Sequence, residues 1–161
     1  MLLYLLRHGD AITSPTLHDS ELPLSELGAQ QAEAVSLFLK AAGVSLDLIV
    51  TSPLVRAQQM AAPTKNLLGI KKMITSKYLV PGSDQKQLFE LLNSQRVETL
   101  LLVGHEPHLS TTIALLVSGD TSSRIEMKKA SCACVEIAWP IEKGRGLLKW
   151  LVTVGQMKQI R

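Results

Sequence analysis

Apolar runs of strand length alternate along this chain with longer segments that mix apolar and polar residues. Each run is continuous, which is typical of strands buried on both faces of a sheet. The runs occupy residues 2–7, 46–52, 72–75 and 98–104. The longer segments between them predict helices at residues 25–42, 53–68, 84–93 and 107–118. This alternation of strands and helices favours a parallel sheet.

Local signals mark the ends of several predicted helices. Ser25 can accept a hydrogen bond from a free N–H group in the first turn of its helix. Gly43 and Gly119 stand just past the ends of two helices, where glycine is a common stop. Pro53 suits a helix start, whereas Pro63 predicts a kink or a break within the same helix.

Two further β segments, residues 131–139 and 147–154, close the chain. The connection EKGRG at residues 142–146 predicts that they form an antiparallel hairpin at one edge of the sheet. The expected fold class is α/β, a three-layer α/β/α sandwich with a mostly parallel central sheet and an antiparallel edge. A length of 161 residues suits one domain, residues 1–161.

The amino-acid composition restricts the kinds of molecule that the protein is expected to bind. Hydrophobic residues make up 46% of the chain and charged residues 19%, which excludes a disordered protein. The 17 Lys and Arg residues against 14 Asp and Glu give a net charge of +3. Because this excess is small and few aromatic residues lie among the basic ones, we expect no nucleic-acid partner.

The lengths of the apolar runs and the two cysteines indicate where in the cell the protein is expected. No run reaches the ~20 residues that span a bilayer, and residues 2–6 are shorter than the ~7–15-residue core of a signal peptide. We therefore expect no membrane partner. Cys132 and Cys134 would point the same way from one strand, where a bridge between them would be strained, so reduced thiols are expected. A cytoplasmic location is the corresponding expectation.

Three predicted strands end in polar motifs: RHGD at residues 7–10, TSPLVRA at 51–57 and GHEP at 104–107. Ligands of open α/β sheets bind outside the carboxyl ends of the strands. If the three ends converge, they bring together two arginines and two histidines. These are Arg7, His8, Arg56 and His105, joined by main-chain N–H groups at the start of the helix near Pro107.

Such a set of residues suits a tetrahedral phosphoryl group. Two guanidinium groups match phosphate oxygens with forked donors, and a helix N-terminus adds further N–H donors. Neighbouring cations disfavour protonation of a histidine, so a neutral ring nitrogen can attack phosphorus and form a covalent phosphohistidine. No metal and no other cofactor is required, because the arginines neutralise the phosphate charge.

The motifs LLRHGDA, TSPLVRAQQ and VGHEP, in this order, resemble the histidine phosphatase superfamily, also called the phosphoglycerate mutase-like fold. The short length and the RHGDA form are most similar to its SixA-type phosphohistidine phosphatases. The resemblance covers nearly the whole chain and implies that His8 is the phosphorylated nucleophile. It also implies that Arg7, Arg56 and His105 bind and polarise the phosphoryl group. We assign Glu106, directly after His105, to the same phosphate site.

The resemblance also suggests candidates for the general acid. Larger relatives supply a glutamate from a segment before the second histidine; here Glu90 is the nearest match, with a helix-surface carboxylate as the alternative. SixA-like members carry an aspartate after RHGDA, and Asp19 matches it ahead of Pro23, with a loop carboxylate as the alternative. Leu22 stands where an arginine is frequent in such members. Asp10 is expected to support the site without touching substrate.

Two other histidines receive non-catalytic interpretations. The sequence HEPH, from His105 to His108, is one residue shorter than HExxH and contains Pro107, so it lacks the helical metal-binding face of that motif. We expect His108 at a helix start on the rim of the pocket. We expect His18, beside Asp19, to be solvated, with a loop position near the substrate as the alternative.

The expected function is a metal-independent phosphatase that hydrolyses protein phosphohistidine through a covalent phospho-His8 intermediate. Two alternatives stay open: a small-molecule phosphomonoesterase or mutase of the same fold, and a non-catalytic phosphate-binding regulatory module. The short separation between Arg56 and His105 predicts no large lid insertion. The partner is then a phosphohistidine-containing protein domain or a small phosphorylated substrate.

Overall fold

A computed structural model describes residues 1–160 of the chain. The strands are β1 (Leu2–Arg7), β2 (Leu48–Thr51), β3 (Met73–Thr75), β4 (Thr99–Gly104), β5 (Cys132–Glu136) and β6 (Leu147–Val152). The helices are α1 (Glu26–Ala41), α2 (Val55–Leu67), α3 (Gln85–Ser94), α4 (His108–Ser118) and α5 (Val154–Met157). Two single turns of 3₁₀ helix span Asp19–Glu21 and Lys77–Leu79.

The six strands form one mixed sheet in the order β3-β2-β4-β1-β5-β6. The first four strands in that order run parallel, while β5 is antiparallel to both β1 and β6. Helices cover both faces, so the prediction of a three-layer α/β/α sandwich with an antiparallel edge is confirmed. The antiparallel part consists of two strands, β5 and β6, and β6 is one edge of the sheet.

Alternate residues of β1 enter two separate cores. Leu3 and Leu5 pack on the face that α3 and α4 cover. Tyr4 and Leu6 pack on the opposite face, with α1, α2 and α5. Because successive side chains of a strand point to opposite faces, a continuous apolar run is what a strand covered on both faces requires.

The predicted helix ends largely agree with the structure. Ser25 caps α1 by accepting from the Gly28 N–H, and Gly43 and Gly119 adopt left-handed φ values of +70° and +84° after α1 and α4. Each glycine occupies a conformation that a side chain disfavours. Cys132 and Cys134 are free and buried, as expected.

Two local predictions need correction. Pro63 does not break α2, which continues to Leu67 because its buried face runs on past the proline at Thr64, while the alternative of a kink stays a prediction. The last β segment ends at Val152 instead of residue 154, since Thr153 and Gln156 form a capping box that starts α5. No helix in residues 1–160 is long and apolar enough to cross a membrane.

The register of the parallel strands determines where the polar motifs lie. Arg7 of β1 pairs with Gly104 of β4, and Thr51 of β2 pairs with Val103. The next hydrogen bonds run from the His8 N–H to the Gly104 carbonyl and from the Ser52 N–H to the Val103 carbonyl. All three strands therefore end level with one another, and their polar motifs emerge side by side at the carboxyl edge.

Candidate active site

His8 is a buried imidazole at the end of β1, with 9% of its surface exposed. Its Nδ1 lies 2.7 Å from the carbonyl oxygen of Gly9. A carbonyl oxygen only accepts, so a neutral His8 carries its proton on Nδ1 and a lone pair on Nε2. Burial, together with the charges of Arg56 and Arg7, lowers the pKa of His8 from 6.5 to about 4, against a smaller opposing effect of the Gly9 bond. His8 is thus neutral at pH 7 with Nε2 free to act as a nucleophile.

His105 lies next to His8, with 5.0 Å between the ring centroids. It is 1% exposed, and burial, followed by the proximity of His8 and Arg56, lowers its pKa to about 3. Its Nε2 is 2.7 Å from the hydroxyl oxygen of Ser52. Within residues 1–160, its buried Nδ1 has no hydrogen-bond partner. The site therefore contains a second neutral imidazole with one uncommitted polar edge.

Arg56 and Asp19 form an ion pair at the mouth of the site. The Arg56 side chain is 10% exposed, and its Nη2 lies 3.2 Å from Oδ2 of Asp19, whose side chain is 68% exposed. Arg56 Nη1 also donates to the Asp19 main-chain carbonyl at 2.7 Å. Arg56 thus holds the 3₁₀ turn that carries Asp19 by two contacts. The sequence could suggest Asp19 as a candidate, but only the fold shows which cation it meets.

Arg7 reaches from the end of β1 toward the segment before β5. Its Nη1 donates to the main-chain carbonyl of Met127 at 2.7 Å. Within residues 1–160 its buried Nε donor has no acceptor. A buried guanidinium N–H normally finds an acceptor, so this donor suits an anion bound beside β1.

Asp10 holds the loop after β1 through two side-chain contacts. Its carboxylate accepts from the Ser25 hydroxyl and from Lys129 Nζ, each at 2.7 Å. The Lys129 bond, followed by the Ser25 bond, lowers the pKa of Asp10. Lys129 is brought there by a turn in which Ala130 has a left-handed φ of 59° and donates its N–H to the His8 carbonyl.

The loop after β1 is also pressed against the first turns of α1. The Asp10 N–H donates to Oε1 of Gln31 at 2.8 Å. A Cβ added to Gly28 would lie 2.0 Å from the Asp10 carbonyl oxygen, and one added to Gly9 would lie 2.8 Å from Gln31 Oε1. Gly28 is therefore required for the close approach of α1 to the RHGD loop, because a side chain there would meet main-chain atoms.

Two main-chain N–H groups at the start of α4 are already hydrogen-bonded. The Leu109 N–H donates to the His105 carbonyl, and the Ser110 N–H donates to Oε1 of Glu106 at 2.8 Å. These two donors are consumed within the helix start and do not face a ligand. The Glu106 carboxylate caps α4 through this bond, and the phosphate role assigned to Glu106 stays a prediction.

The structure gives the remaining candidates other surroundings. Glu90 lies on the exposed side of α3, where its carboxylate pairs with Lys86 Nζ at 4.0 Å. It is therefore a carboxylate on the helix surface. His18 is exposed and caps the 3₁₀ turn through Nδ1. His108 is not on the pocket rim as expected: it is 4% exposed and its Nδ1 lies 3.1 Å from Gln85 Nε2. Its position at the first residue of α4 turns the ring toward α3.

A groove of about 550 Å³ adjoins Arg7. Its walls come from α4 and from the segment before β5, and four hydroxyl side chains and a second arginine line it: Ser110, Thr111, Thr121, Ser123 and Arg124. The amino-acid sequence does not indicate this groove: its two walls follow one another in the chain, but neither carries a recognisable motif.

Residues 3–79 match the family model of the histidine phosphatase superfamily, branch 1. An uncharacterized protein of Picosynechococcus sp. is 31% identical to the chain, with 81% of each protein covered. The chain belongs to the histidine phosphatase superfamily. The resemblance inferred from the three motifs is thereby confirmed.

Individual relatives of this superfamily resemble the chain over its whole length. The phosphohistidine phosphatase SixA of Escherichia coli is 22% identical over 100% of this chain and 99% of its own. The structure of SixA complexed with tungstate has a TM-score of 0.86 at 23% identity, covering 98% and 99% of the two chains. The alpha-ribazole phosphatase of Shigella flexneri has a TM-score of 0.73 at 19% identity, covering 96% and 97%. These structural likenesses establish the fold.

Proposed function

We propose that this histidine phosphatase superfamily member hydrolyses phosphohistidine in proteins through a covalent phospho-His8 intermediate. The observation that carries the proposal is the state of His8. Its Nδ1 is bonded to the Gly9 carbonyl, so the Nε2 lone pair of a neutral ring is free. Arg7 and Arg56 flank this nucleophile with guanidinium donors.

In the first step, His8 Nε2 attacks the phosphorus atom, a P–N bond to His8 forms, and the P–N bond to the substrate imidazole breaks. The leaving imidazole takes up a proton from solvent. Charge develops on the equatorial oxygens during this transfer, and the two arginines stabilise it. Transfer between two imidazoles is nearly balanced in free energy, so the step needs no strong general acid.

In the second step, a water molecule attacks phosphorus, the bond to His8 Nε2 breaks, and inorganic phosphate is released. Asp19, the candidate general acid, is the residue we assign to accept the water proton in this step. Its contact with Arg56 holds it at the mouth of the site. The same contact explains how one loop aspartate can act on a group bound at Arg56.

Access to the site supports a protein substrate. The Asp19 side chain at the mouth is 68% exposed. Between Arg56 and His105 the chain forms only the rest of α2, β3, a 3₁₀ turn, α3 and β4. We therefore infer one domain, residues 1–161, without a large lid insertion, so that a phosphohistidine on a folded partner can reach His8.

A small phosphomonoester is the second candidate, and the groove beside Arg7 favours it. Four hydroxyl side chains line that groove. They would provide hydrogen bonds to a polar alcohol leaving group. In that case Asp19 must also protonate the leaving oxygen, because an alkoxide leaves far less readily than an imidazole.

Rapid-quench mixing with a ³²P-phosphohistidine protein tests the proposal. Label that is labile in acid and stable in base should appear on the enzyme and be absent in His8→Ala. Asp19→Asn should keep the labelling step and slow release of phosphate about 10²-fold, so label accumulates. Glu21→Gln, which keeps the cap of the same 3₁₀ turn, is the matched control and should behave as the natural chain.

Other outcomes identify the alternatives. Activity that persists in His8→Ala contradicts the covalent intermediate. Turnover of sugar phosphates or other small phosphomonoesters that exceeds turnover of the phosphoprotein favours the second candidate. Tight vanadate binding without hydrolysis of phosphohistidine or aryl phosphates shows a phosphate-binding module and no phosphatase.

A further inference from the structure

Ser52 joins the strand end of β2 to the second histidine. It is the residue directly after β2 and is fully buried. Its hydroxyl oxygen accepts from the Leu54 N–H at 3.3 Å, at the start of α2, and lies 2.7 Å from His105 Nε2. The hydroxyl therefore has one hydrogen to donate and a single side-chain neighbour to receive it.

The direction of the Ser52–His105 bond follows from counting donors and acceptors. If His105 Nε2–H donated to Ser52, the buried hydroxyl hydrogen would have no acceptor among residues 1–160. Such a group is costly to bury. If the hydroxyl donates to Nε2, the hydroxyl is satisfied and the imidazole proton moves to Nδ1.

The second arrangement leaves one unmatched donor, the buried Nδ1–H of His105. That ring lies 5.0 Å from the His8 ring, measured between centroids. A phosphoryl oxygen on His8 Nε2 would supply the acceptor that Nδ1–H lacks. In the opposite tautomer, a lone pair on Nδ1 would meet the negatively charged oxygen and repel it.

We propose that Ser52 is a positioning residue that donates to His105 Nε2 and thereby holds the His105 proton on Nδ1, where it can bond to a transferring phosphoryl oxygen. The tautomer depends only on the structure, whereas its use in catalysis rests on the proposed phosphatase function. Ser52 acts through His105 and does not itself touch the phosphoryl group.

The tautomer can be measured without any activity assay. Long-range ¹H–¹⁵N correlation at pH 7 distinguishes protonated from unprotonated ring nitrogens, and His105→Gln identifies the His105 signals. We expect His105 and His8 to be protonated on Nδ1. His108 is an internal reference of the opposite kind, since Gln85 Nε2 donates to its Nδ1 and leaves the proton on Nε2. A His105 protonated on Nε2 in the natural chain overturns the proposal.

Two Ser52 variants extend the test to catalysis. Ser52→Ala should lose the preference for Nδ1–H and lower kcat about 10- to 100-fold on an aryl phosphate, with little change in KM, because the donor acts on charge that develops during transfer. Ser52→Cys, with a weak S–H donor of similar size, should fall between the natural chain and Ser52→Ala. Ser36→Ala, which also deletes a buried hydroxyl, is the control and should leave both readouts unchanged.

The results separate this inference from the proposed function. If His105 of the natural chain is protonated on Nδ1 but the protein hydrolyses no phosphorylated substrate, the proposed phosphatase function is refuted and the proposed tautomer is supported. Full kcat in a folded Ser52→Ala protein, or an unchanged His105 tautomer in that variant, overturns the role of Ser52.

Discussion

At the scale of single residues, two buried imidazoles lie beside two guanidinium groups. His8 and His105 are buried, and burial is the largest cause that lowers both pKa values. A cationic histidine between Arg7 and Arg56 would be unfavourable. The environment that would bind a phosphate dianion therefore also keeps both rings neutral, which the nucleophile requires.

The same pKa shifts predict how stability depends on pH. The folded pKa values of about 4 for His8 and about 3 for His105 lie below the unfolded value of 6.5. Between pH 6.5 and 4 the unfolded chain binds protons that the folded chain does not. The free energy of unfolding should therefore fall as the pH falls through this window, by up to about 1.4 kcal/mol per pH unit per histidine. Urea denaturation at a series of pH values measures the slope.

Variants assign this slope to the two histidines. His105→Gln and His8→Gln should each flatten the dependence between pH 6.5 and 4. His18→Gln removes an exposed histidine and is the matched control. If the slope of His105→Gln equals that of the natural chain, the burial of a neutral His105 is contradicted.

At the scale of elements, the end of one strand and the start of one helix fit closely together. The N-cap Ser25 of α1 bonds the Asp10 carboxylate, and Gln31, in the second turn of the helix, bonds the Asp10 N–H. Gly28 allows this approach because it has no side chain. The position of the RHGD loop, and hence of His8, depends on the packing of α1.

Gly28→Ala should destabilise the protein, although alanine is the better helix former by about 1 kcal/mol. The new Cβ would lie 2.0 Å from the Asp10 carbonyl oxygen, which the main chain must move to avoid. We expect a loss of about 1–3 kcal/mol in the free energy of unfolding, as for overpacked sites, and lower activity from a displaced loop. Urea denaturation and a phosphatase assay measure the two effects.

Gly155→Ala is the matched control within another helix. The nearest atom to its added Cβ is the Thr153 hydroxyl oxygen at 3.9 Å. This substitution should be neutral or stabilising. Equal stability of Gly28→Ala and the natural chain would show that the loop tolerates displacement.

At the scale of the whole molecule, a single sheet joins two cores. β1 and β4 lie at its centre and contribute side chains to both faces. The carboxyl edge of the same central strands carries the candidate site. Disruption of either core should therefore disturb the strand ends that hold His8 and His105.

This arrangement predicts cooperative unfolding as one domain. Trp150 packs against Tyr4 and Phe38 on one face, and Trp139 lies at the other core with Arg96 over its ring. Tryptophan fluorescence reports on these places, whereas far-ultraviolet circular dichroism reports on all helices. The two probes should give the same urea midpoint. Separate midpoints would contradict a single domain.

Much of the fold follows from local pattern. Some signals act over only a few residues, such as the apolar run at residues 2–7 and the capping residues Ser25 and Gly119. The strands and helices that they produce can therefore be predicted from the sequence. The order of strand ends then placed Arg7 and His8 near His105. Pro63 shows the limit of local pattern, since burial along α2 outweighs one missing hydrogen bond.

The sequence by itself determined the α/β architecture, the family and the four polar residues at the strand ends, because periodicity and motif order are properties of the chain. Only the tertiary structure decided which nitrogen of His8 is free, that Ser52 bonds His105, and that Arg56 holds Asp19. The last two contacts join residues far apart in sequence, 53 positions for Ser52 and His105 and 37 for Arg56 and Asp19, whereas the His8–Gly9 bond is local but depends on the direction of the His8 side chain. They depend on strand register and side-chain direction, which arise only when the sheet assembles.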